Sequence, residues 1–114
     1  MAIPSGYGTE VLKRVTVIQS NTSSTILTGV ANHIYTILTV NFQDQQGVAN
    51  TIHLGAHNGS AQMYFVAGQA VPAGGTFVYN DKIVLEGDDY LTVYNSSTAG
   101  HWWVSYIDQN WVTP

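Results

Sequence analysis

The chain has 114 residues, of which 45% are hydrophobic and only 9% are charged. This length suits one compact domain with a single core, and the hydrophobic content excludes a chain that is disordered for lack of apolar residues. Three Lys and Arg stand against seven Asp and Glu, a net charge of -4. Because this balance offers no basic footprint for a phosphate backbone, we expect no nucleic acid as a partner. We also expect no membrane partner, because no apolar run is long enough to span one.

The chain contains no cysteine, which excludes disulfides, thiolate metal sites and cysteine nucleophiles. The segment 1–6 lacks the basic and apolar regions of a secretory signal, and no apolar run approaches the ~18 residues of a transmembrane span. These features predict a soluble protein that is made in a cytoplasm.

Short apolar and β-branched runs, each closed by Gly, Asn, Asp or Ser, predict an all-β protein. Residues 1–9 contain proline and glycine and are predicted to be a flexible N-terminal arm, with residues 10–114 as a single β-domain. The predicted strands of that domain cover residues 10–19, 25–30, 33–43, 49–57, 62–67, 75–80, 82–86, 90–95 and 101–108.

Turn residues predict how these strands connect. Asn58-Gly59 favours a type I′ hairpin turn between strands 49–57 and 62–67. The stretch 71–75 contains a proline and two glycines, so it is predicted to be a connection outside the sheet. Tight turns at Asn80-Asp81 and at residues 86–89 predict an antiparallel meander from Thr76 to Asn95.

Alternation along the strands predicts one buried and one partly wet face. Ile52, Leu54 and Ala56 share one face of their strand, and Leu91 and Val93 share one face of theirs. Such strands predict two antiparallel sheets packed face to face, as a jelly roll or an immunoglobulin-like sandwich.

The titratable residues form no recognisable catalytic or metal motif. His53 and His57 face the same side of a strand, but their Cα atoms are about 13 Å apart, too far for one zinc ion without a bulge at Gly55. His33 and His101 are interpreted as strand-entry residues. The acidic residues match no EF-hand spacing and are interpreted as turn residues: Asp81, Glu86, Asp88 and Asp89. No Gly-x-Ser-x-Gly elbow or phosphate-binding loop occurs, so we expect no catalytic residue, cofactor or metal.

The aromatic residues are the more informative group. Residues 101–108 form a strand with bulky side chains on both faces, so one face enters the core and the other presents an aromatic side chain outward. Exposed tryptophan and tyrosine are typical of protein interfaces. Two other readings stay open at this point: the tryptophans serve only as core and loop cover, or Trp103, Trp111 and neighbouring tyrosines form a stacking platform for sugar rings.

The sequence resembles a family of small virion structural proteins of tailed bacteriophages, especially those that infect cyanobacteria and other marine bacteria. The segments that carry the resemblance span most of the chain: residues 1–6, 10–14, 32–36, 71–78, 82–91 and 104–108. The chain departs from the family pattern at Trp102-Trp103, where the family usually has smaller residues. The resemblance implies a β-sandwich that assembles on the particle, as a capsid decoration or cement protein or as a part of a tail or fibre, and it supplies no catalytic residue.

These observations predict a non-enzymatic virion protein that stabilises an assembled shell. Its expected partners are the major capsid protein and further copies of itself, because a charge-poor sandwich with open sheet edges favours oligomers. The predicted interface residues are Ile3, Tyr7, Trp102, Trp103 and Trp111. The alternative is a tail or fibre component that binds carbohydrate on the host surface.

Overall fold

The computed structural model describes residues 9–110, and this part of the chain contains nine β-strands and no helix. The strands are β1 (Thr9–Gln19), β2 (Ser23–Thr28), β3 (His33–Asp44), β4 (Asn50–His57), β5 (Gln62–Val71), β6 (Thr76–Tyr79), β7 (Ile83–Glu86), β8 (Tyr90–Asn95) and β9 (Gly100–Asn110). The predicted interface residues Ile3, Tyr7 and Trp111 lie outside the described residues. Between residues 9 and 110, no helix is long and apolar enough to cross a membrane.

The strands form two antiparallel sheets. One has five strands in the order β1-β9-β3, with β6 and β7 both paired to β3, and the other has four in the order β2-β8-β4-β5. Four of the strand pairs are nested along the chain, as in one long hairpin: β1–β9, β2–β8, β3 with β6 and β7, and β4–β5. Two further pairs, β3–β9 and β4–β8, form where this hairpin folds back on itself. This is the strand order of a jelly roll. The predicted β-sandwich is confirmed, and the jelly roll is found instead of the immunoglobulin-like alternative.

The core lies between the two sheets. Ile52, Leu54, Leu91 and Val93 are buried, so the faces predicted from alternation are confirmed on β4 and β8. The buried hydrophobic side chains are Ile26, Leu27, Tyr35, Ile37, Val40, Phe42, Ile52, Leu54, Val71, Ile83, Leu85, Leu91, Val93, Trp102, Val104 and Tyr106.

The predicted meander from Thr76 to Asn95 is wrong. β6 pairs with residues 40–43 of β3 and β7 pairs with residues 34–37, so both run along the same side of one partner strand. The predicted turn at Asn80-Asp81 is therefore an interruption between two collinear strand segments. β8 then crosses to the other sheet, where it pairs with β2 and β4.

The predicted hairpin of β4 and β5 is confirmed, but its turn is not of type I′. Only Gly59 has a positive φ there, at 91°, whereas a type I′ turn needs two such residues. Asn58 instead accepts hydrogen bonds on Oδ1 from the backbone N–H groups of Ser60 and Ala61, at 3.0 and 2.9 Å. The side chain thus organises a four-residue loop.

β5 is longer than predicted and ends at Val71 instead of residue 67. Its pairing with β4 shifts register between Ile52 and Leu54, and Gly68 adopts a φ of 69° in that region. A bulge at the glycine bends the strand and lets pairing resume, so Val71 belongs to the sheet and the connection begins at Pro72.

A buried amide network closes one end of the sandwich. Asn95 is 0% exposed and donates from Nδ2 to the carbonyl oxygens of Gln19 and Ser97, each at 3.0 Å. Its Oδ1 accepts a hydrogen bond from Nε1 of Trp102 at 2.9 Å. Because every polar atom of the Asn95 side chain is satisfied, the network fixes which side of β9 faces the core.

Candidate interaction surface

The adjacent residues Trp102 and Trp103 point to opposite faces of the five-stranded sheet. Trp102 is 1% exposed and its ring centroid lies 4.9 Å from that of Phe42, whereas Trp103 is 46% exposed. The expectation that one aromatic face enters the core and the other faces outward is confirmed, because successive side chains of a strand alternate. The prediction that Trp102 belongs to an interface is wrong, because its ring is enclosed between the sheets.

The outward surface of the five-stranded sheet is rich in exposed apolar side chains. One row across the strands contains Leu12, Ile107, Thr36 and Val84, and a second contains Thr16, Trp103, Asn41 and Val78. We use the name outer apolar face for the large exposed hydrophobic residues of this surface: Leu12, Ile18, Val78, Val84 and Trp103. Leu12 is 72% exposed, the most of these five.

A pocket lies between these two rows. The intervening row consists of Arg14, Ser105 and Thr39, and the pairing of β3 with β9 shifts register at Leu38. At the same position, β3 has no partner strand on its other side, because β6 pairs with β3 only as far as Val40 and β7 begins to pair at Ile37. The cavity has a volume of about 470 Å³ and is lined by Leu12, Lys13, Arg14, Leu38, Thr39, Trp103 and Ser105. Bulges often occur next to functional sites, where they re-aim a side chain.

Of the two cationic residues that line this pocket, Lys13 binds Asp108 and Arg14 lies against Trp103. Its guanidinium carbon lies 4.8 Å from the centroid of the Trp103 ring, a cation–π contact that holds both side chains in place. On the other side of Trp103, a smaller depression of about 300 Å³ is lined partly by Thr16, Ile18 and His101. Trp103 therefore lies between the pocket and this depression, on the same face of the sheet.

A charged cluster lies at the opposite side of the same sheet, facing the core. The carboxylate of Asp108 accepts hydrogen bonds from Nζ of Lys13 at 2.8 Å and from Nδ1 of His33 at 2.7 Å. Burial by itself would raise the pKa of Asp108, but these two partners hold that pKa below its ordinary value. The hydrogen bond to Asp108 raises the pKa of Lys13. Burial raises the pKa of the adjacent Tyr35 and Tyr106.

This cluster was not predicted, although the alternation that buries residues 102, 104 and 106 also places Asp108 on the core side. His33 begins β3, as expected of a strand-entry residue. Its contact with Asp108 spans 75 positions of the chain and has no local sequence signal.

The Asp108 cluster predicts loss of stability in acid. Because the pKa of Asp108 is lowered on folding, its ionised form stabilises the fold above the ordinary carboxyl pKa of about 4, and this contribution is lost as the pH falls through the lower folded value. Asp108→Asn is expected to lower the free energy of unfolding at pH 7 by about 2 kcal/mol. It is also expected to flatten the acid side of the profile.

Thermal unfolding measured from pH 2 to pH 7 tests this expectation. Asp44 accepts a hydrogen bond from the backbone N–H of Gly74 and also has a lowered pKa, so the variant keeps part of the acid dependence. Asp88→Asn, on the exposed turn between β7 and β8, is the matched control. A profile of Asp108→Asn parallel to that of the wild type would contradict the assignment.

His53 and His57 lie on the outward face of the four-stranded sheet. Nδ1 of His53 accepts a hydrogen bond from the backbone N–H of Gly68 at 2.9 Å, and Nδ1 of His57 accepts one from Gly59 at 3.0 Å. The ring of His57 stacks on Tyr90. In residues 9–110, no three His, Asp or Glu side chains come together as metal ligands.

No protein-family model matches the chain, and no curated protein matches it significantly. It is similar to a chain of the infectious bursal disease virus T13 particle, with a TM-score of 0.57 and 7% identity over 89% of this chain and 31% of that chain. A chain from the Gx strain of infectious bursal disease virus gives a TM-score of 0.50 and 8% identity, over 96% of this chain and 40% of that one.

A pentameric capsid protein isolated from metagenomic phage sequences reaches a TM-score of 0.43 at 14% identity, over 99% of this chain and 70% of that chain. The chain spans less than half the length of the two viral-particle chains. At these identities the likeness shows the fold alone. The protein is therefore an antiparallel β-sandwich of jelly-roll topology with an apolar outer sheet face.

Proposed function

We propose that the protein is a non-enzymatic virion structural protein, of the capsid decoration or cement type, which docks on an assembled phage shell through its outer apolar face. The observation that carries this proposal is the exposure of Leu12, Ile18 and Trp103 on one face of a well-packed sheet. Contiguous exposed apolar patches mark interaction surfaces. Removing the exposed part of these side chains from water on docking favours binding.

The fold supports a role in a particle. Jelly rolls recur in viral capsid domains, and the chain shares its architecture with a chain of the infectious bursal disease virus particle. A shared fold supports this role by analogy, and the exposed side chains of the outer apolar face are the physical evidence for it. In this proposal the chain is made in the host cytoplasm and resides on the virion, and its partners are the major capsid protein and neighbouring copies of itself.

The arm also belongs to the proposal. Thr9 of the predicted arm already pairs with Asn110 in β1, so the proposal keeps residues 1–8, with Ile3 and Tyr7, as the part that would contact a neighbouring subunit, and Trp111 would add to the contact. The proposal assigns no catalytic role to the Asp108 cluster, in which Lys13 and His33 bind one carboxylate on the core side of the sheet.

The carbohydrate alternative has less support. It combines Trp103 with neighbouring tyrosines, but the nearest one in sequence, Tyr106, is buried on the opposite side of β9. Within the two rows described above, Trp103 is the one aromatic side chain. Trp103 therefore has no tyrosine beside it in these rows, and Trp111, the other tryptophan of this alternative, lies outside the described residues.

A binding assay on shells that lack this chain tests the proposal. Leu12→Glu is expected to reduce attachment by about tenfold or more, because a carboxylate would have to lose its water in an apolar contact. Met63→Glu is the matched control, since Met63 is 55% exposed but lies on β5 of the other sheet. Both variants must keep the melting temperature of the wild type. Attachment of Leu12→Glu at the wild-type level would refute the docking face.

A further inference from the structure

The pocket beside Trp103 holds a cation with no carboxylate partner among the described residues. Lys13 pairs with Asp108 on the core side of the sheet, but no carboxylate of residues 10–110 lies within salt-bridge distance of Arg14. Glu10 shares the outward face of β1 with Arg14, yet four strand residues separate them by about 13 Å. Glu10 instead accepts a hydrogen bond from Gln109.

The rest of the pocket combines apolar walls with hydroxyl groups. Leu12, Leu38 and Trp103 provide apolar surface, and Thr39 and Ser105 lie opposite each other in the register of β3 and β9. A volume of about 470 Å³ is within the range of concave binding sites and accommodates one or two side chains. The outer apolar face continues around the pocket, which favours an occupant that belongs to a larger surface.

The position of the Arg14 guanidinium favours anion binding. Its central carbon lies over the Trp103 ring, 4.8 Å from the ring centroid, so the cation is placed at the wall of the pocket. A guanidinium donates two parallel hydrogen bonds to a carboxylate, and apolar neighbours strengthen that pair by excluding water.

We propose that this pocket binds a segment of the partner protein in which an apolar side chain lies next to an aspartate or glutamate. The apolar side chain enters between Leu12, Leu38 and Trp103, and the carboxylate pairs with Arg14. This inference rests on the proposed function, because it names the chemistry that the shell protein presents to the outer apolar face.

Two peptides that differ only in charge test the inference: acetyl-Phe-Asp-amide and acetyl-Phe-Asn-amide. They are titrated into the full-length protein, and binding is followed by the NMR signals of the Trp103 indole N–H and the Leu38 methyl groups. The aspartate peptide is expected to bind about three- to tenfold more tightly, the range of a well-oriented, partly exposed ion pair. Arg14→Gln is expected to abolish this difference, whereas Lys82→Gln, at the exposed link between β6 and β7, retains it.

Equal affinity for the two peptides, discrimination that survives Arg14→Gln, or no binding of either peptide at millimolar concentration would overturn the inference. Glucuronate is titrated in parallel, and its binding in the absence of peptide binding would identify an acidic sugar as the occupant instead. The docking proposal has a separate readout. If Leu12→Glu loses shell attachment while the two peptides bind equally, the docking face is supported and the acidic partner segment is refuted. If Leu12→Glu attaches normally while the aspartate peptide binds more tightly, the pocket chemistry is supported and the docking face is refuted.

Discussion

Trp102→Ala is expected to lower the free energy of unfolding by about 3–5 kcal/mol, the usual cost of removing a buried tryptophan. The ring is 1% exposed, packs on Phe42 at 4.9 Å and donates Nε1 to Asn95 at 2.9 Å. The substitution removes all three contributions and leaves a cavity between the sheets. Chemical denaturation followed by circular dichroism measures the change.

The neighbouring residue supplies the control. Trp103→Ala removes the same side chain one position along β9, where it is 46% exposed, and is expected to cost less than about 1 kcal/mol. A similar loss of stability in both variants would contradict the assignment of the two rings to opposite faces of the sheet. If Trp102→Ala does not fold at all, Trp102→Phe retains most of the packing and isolates the lost hydrogen bond.

Asn95→Leu is expected to cost about 3 kcal/mol or more, although it replaces a polar side chain with an apolar one of similar size. The carbonyl oxygens of Gln19 and Ser97 lose their donor, and Nε1 of Trp102 loses its acceptor. Each buried polar group left without a partner costs about 1–3 kcal/mol. The same denaturation experiment measures the loss.

Asn58→Leu is the matched control for Asn95→Leu. The Asn58 side chain also bonds to the backbone, accepting from the N–H groups of Ser60 and Ala61, but in an exposed loop where water replaces these bonds. It is expected to lose about 1 kcal/mol or less. Combining Asn95→Leu with Trp102→Phe is expected to cost less than the sum of the two, because both remove the same hydrogen bond. Strict additivity would contradict the network.

Much of the fold was predictable because strand alternation is a local property. The period of two at Ile52, Leu54, Leu91 and Val93 specifies a buried face without any knowledge of the partner strand. Strand pairing is different, since β1 meets β9 from the other end of the chain. No local pattern encodes that choice, so the sequence did not distinguish a jelly roll from an immunoglobulin-like sandwich.

The errors have the same physical origin. Asn80-Asp81 has the composition of a hairpin turn. Both flanking strands pair with β3, however, so the dipeptide only interrupts two segments that lie along the same side of β3. Gly68 is where the sequence predicts that β5 has ended, yet a bulge uses its positive φ and lets the strand continue. In both places a tertiary partner overrides the local preference.

The candidate surface was predictable only in part. The sequence indicates that one tryptophan of the pair is exposed, but it does not say which one, because both Trp102 and Trp103 fit either face. The hydrogen bond from Trp102 to Asn95 resolves this in the structure. The pocket depends on a register shift at Leu38 and on the gap between β6 and β7, neither of which has a sequence signal. The stacking of Arg14 on Trp103 follows from the register of β1 on β9.

Under the proposed function the chain is encoded by a phage, and quantitative mass spectrometry of that phage's purified particles tests this claim most directly. The quantity of interest is the number of copies of this protein for each copy of the major capsid protein. A decoration or cement role predicts a ratio near one or a simple fraction of one. A few copies per particle would assign the protein to a tail or vertex and contradict the lattice role, and its absence from the particle would contradict a virion role altogether.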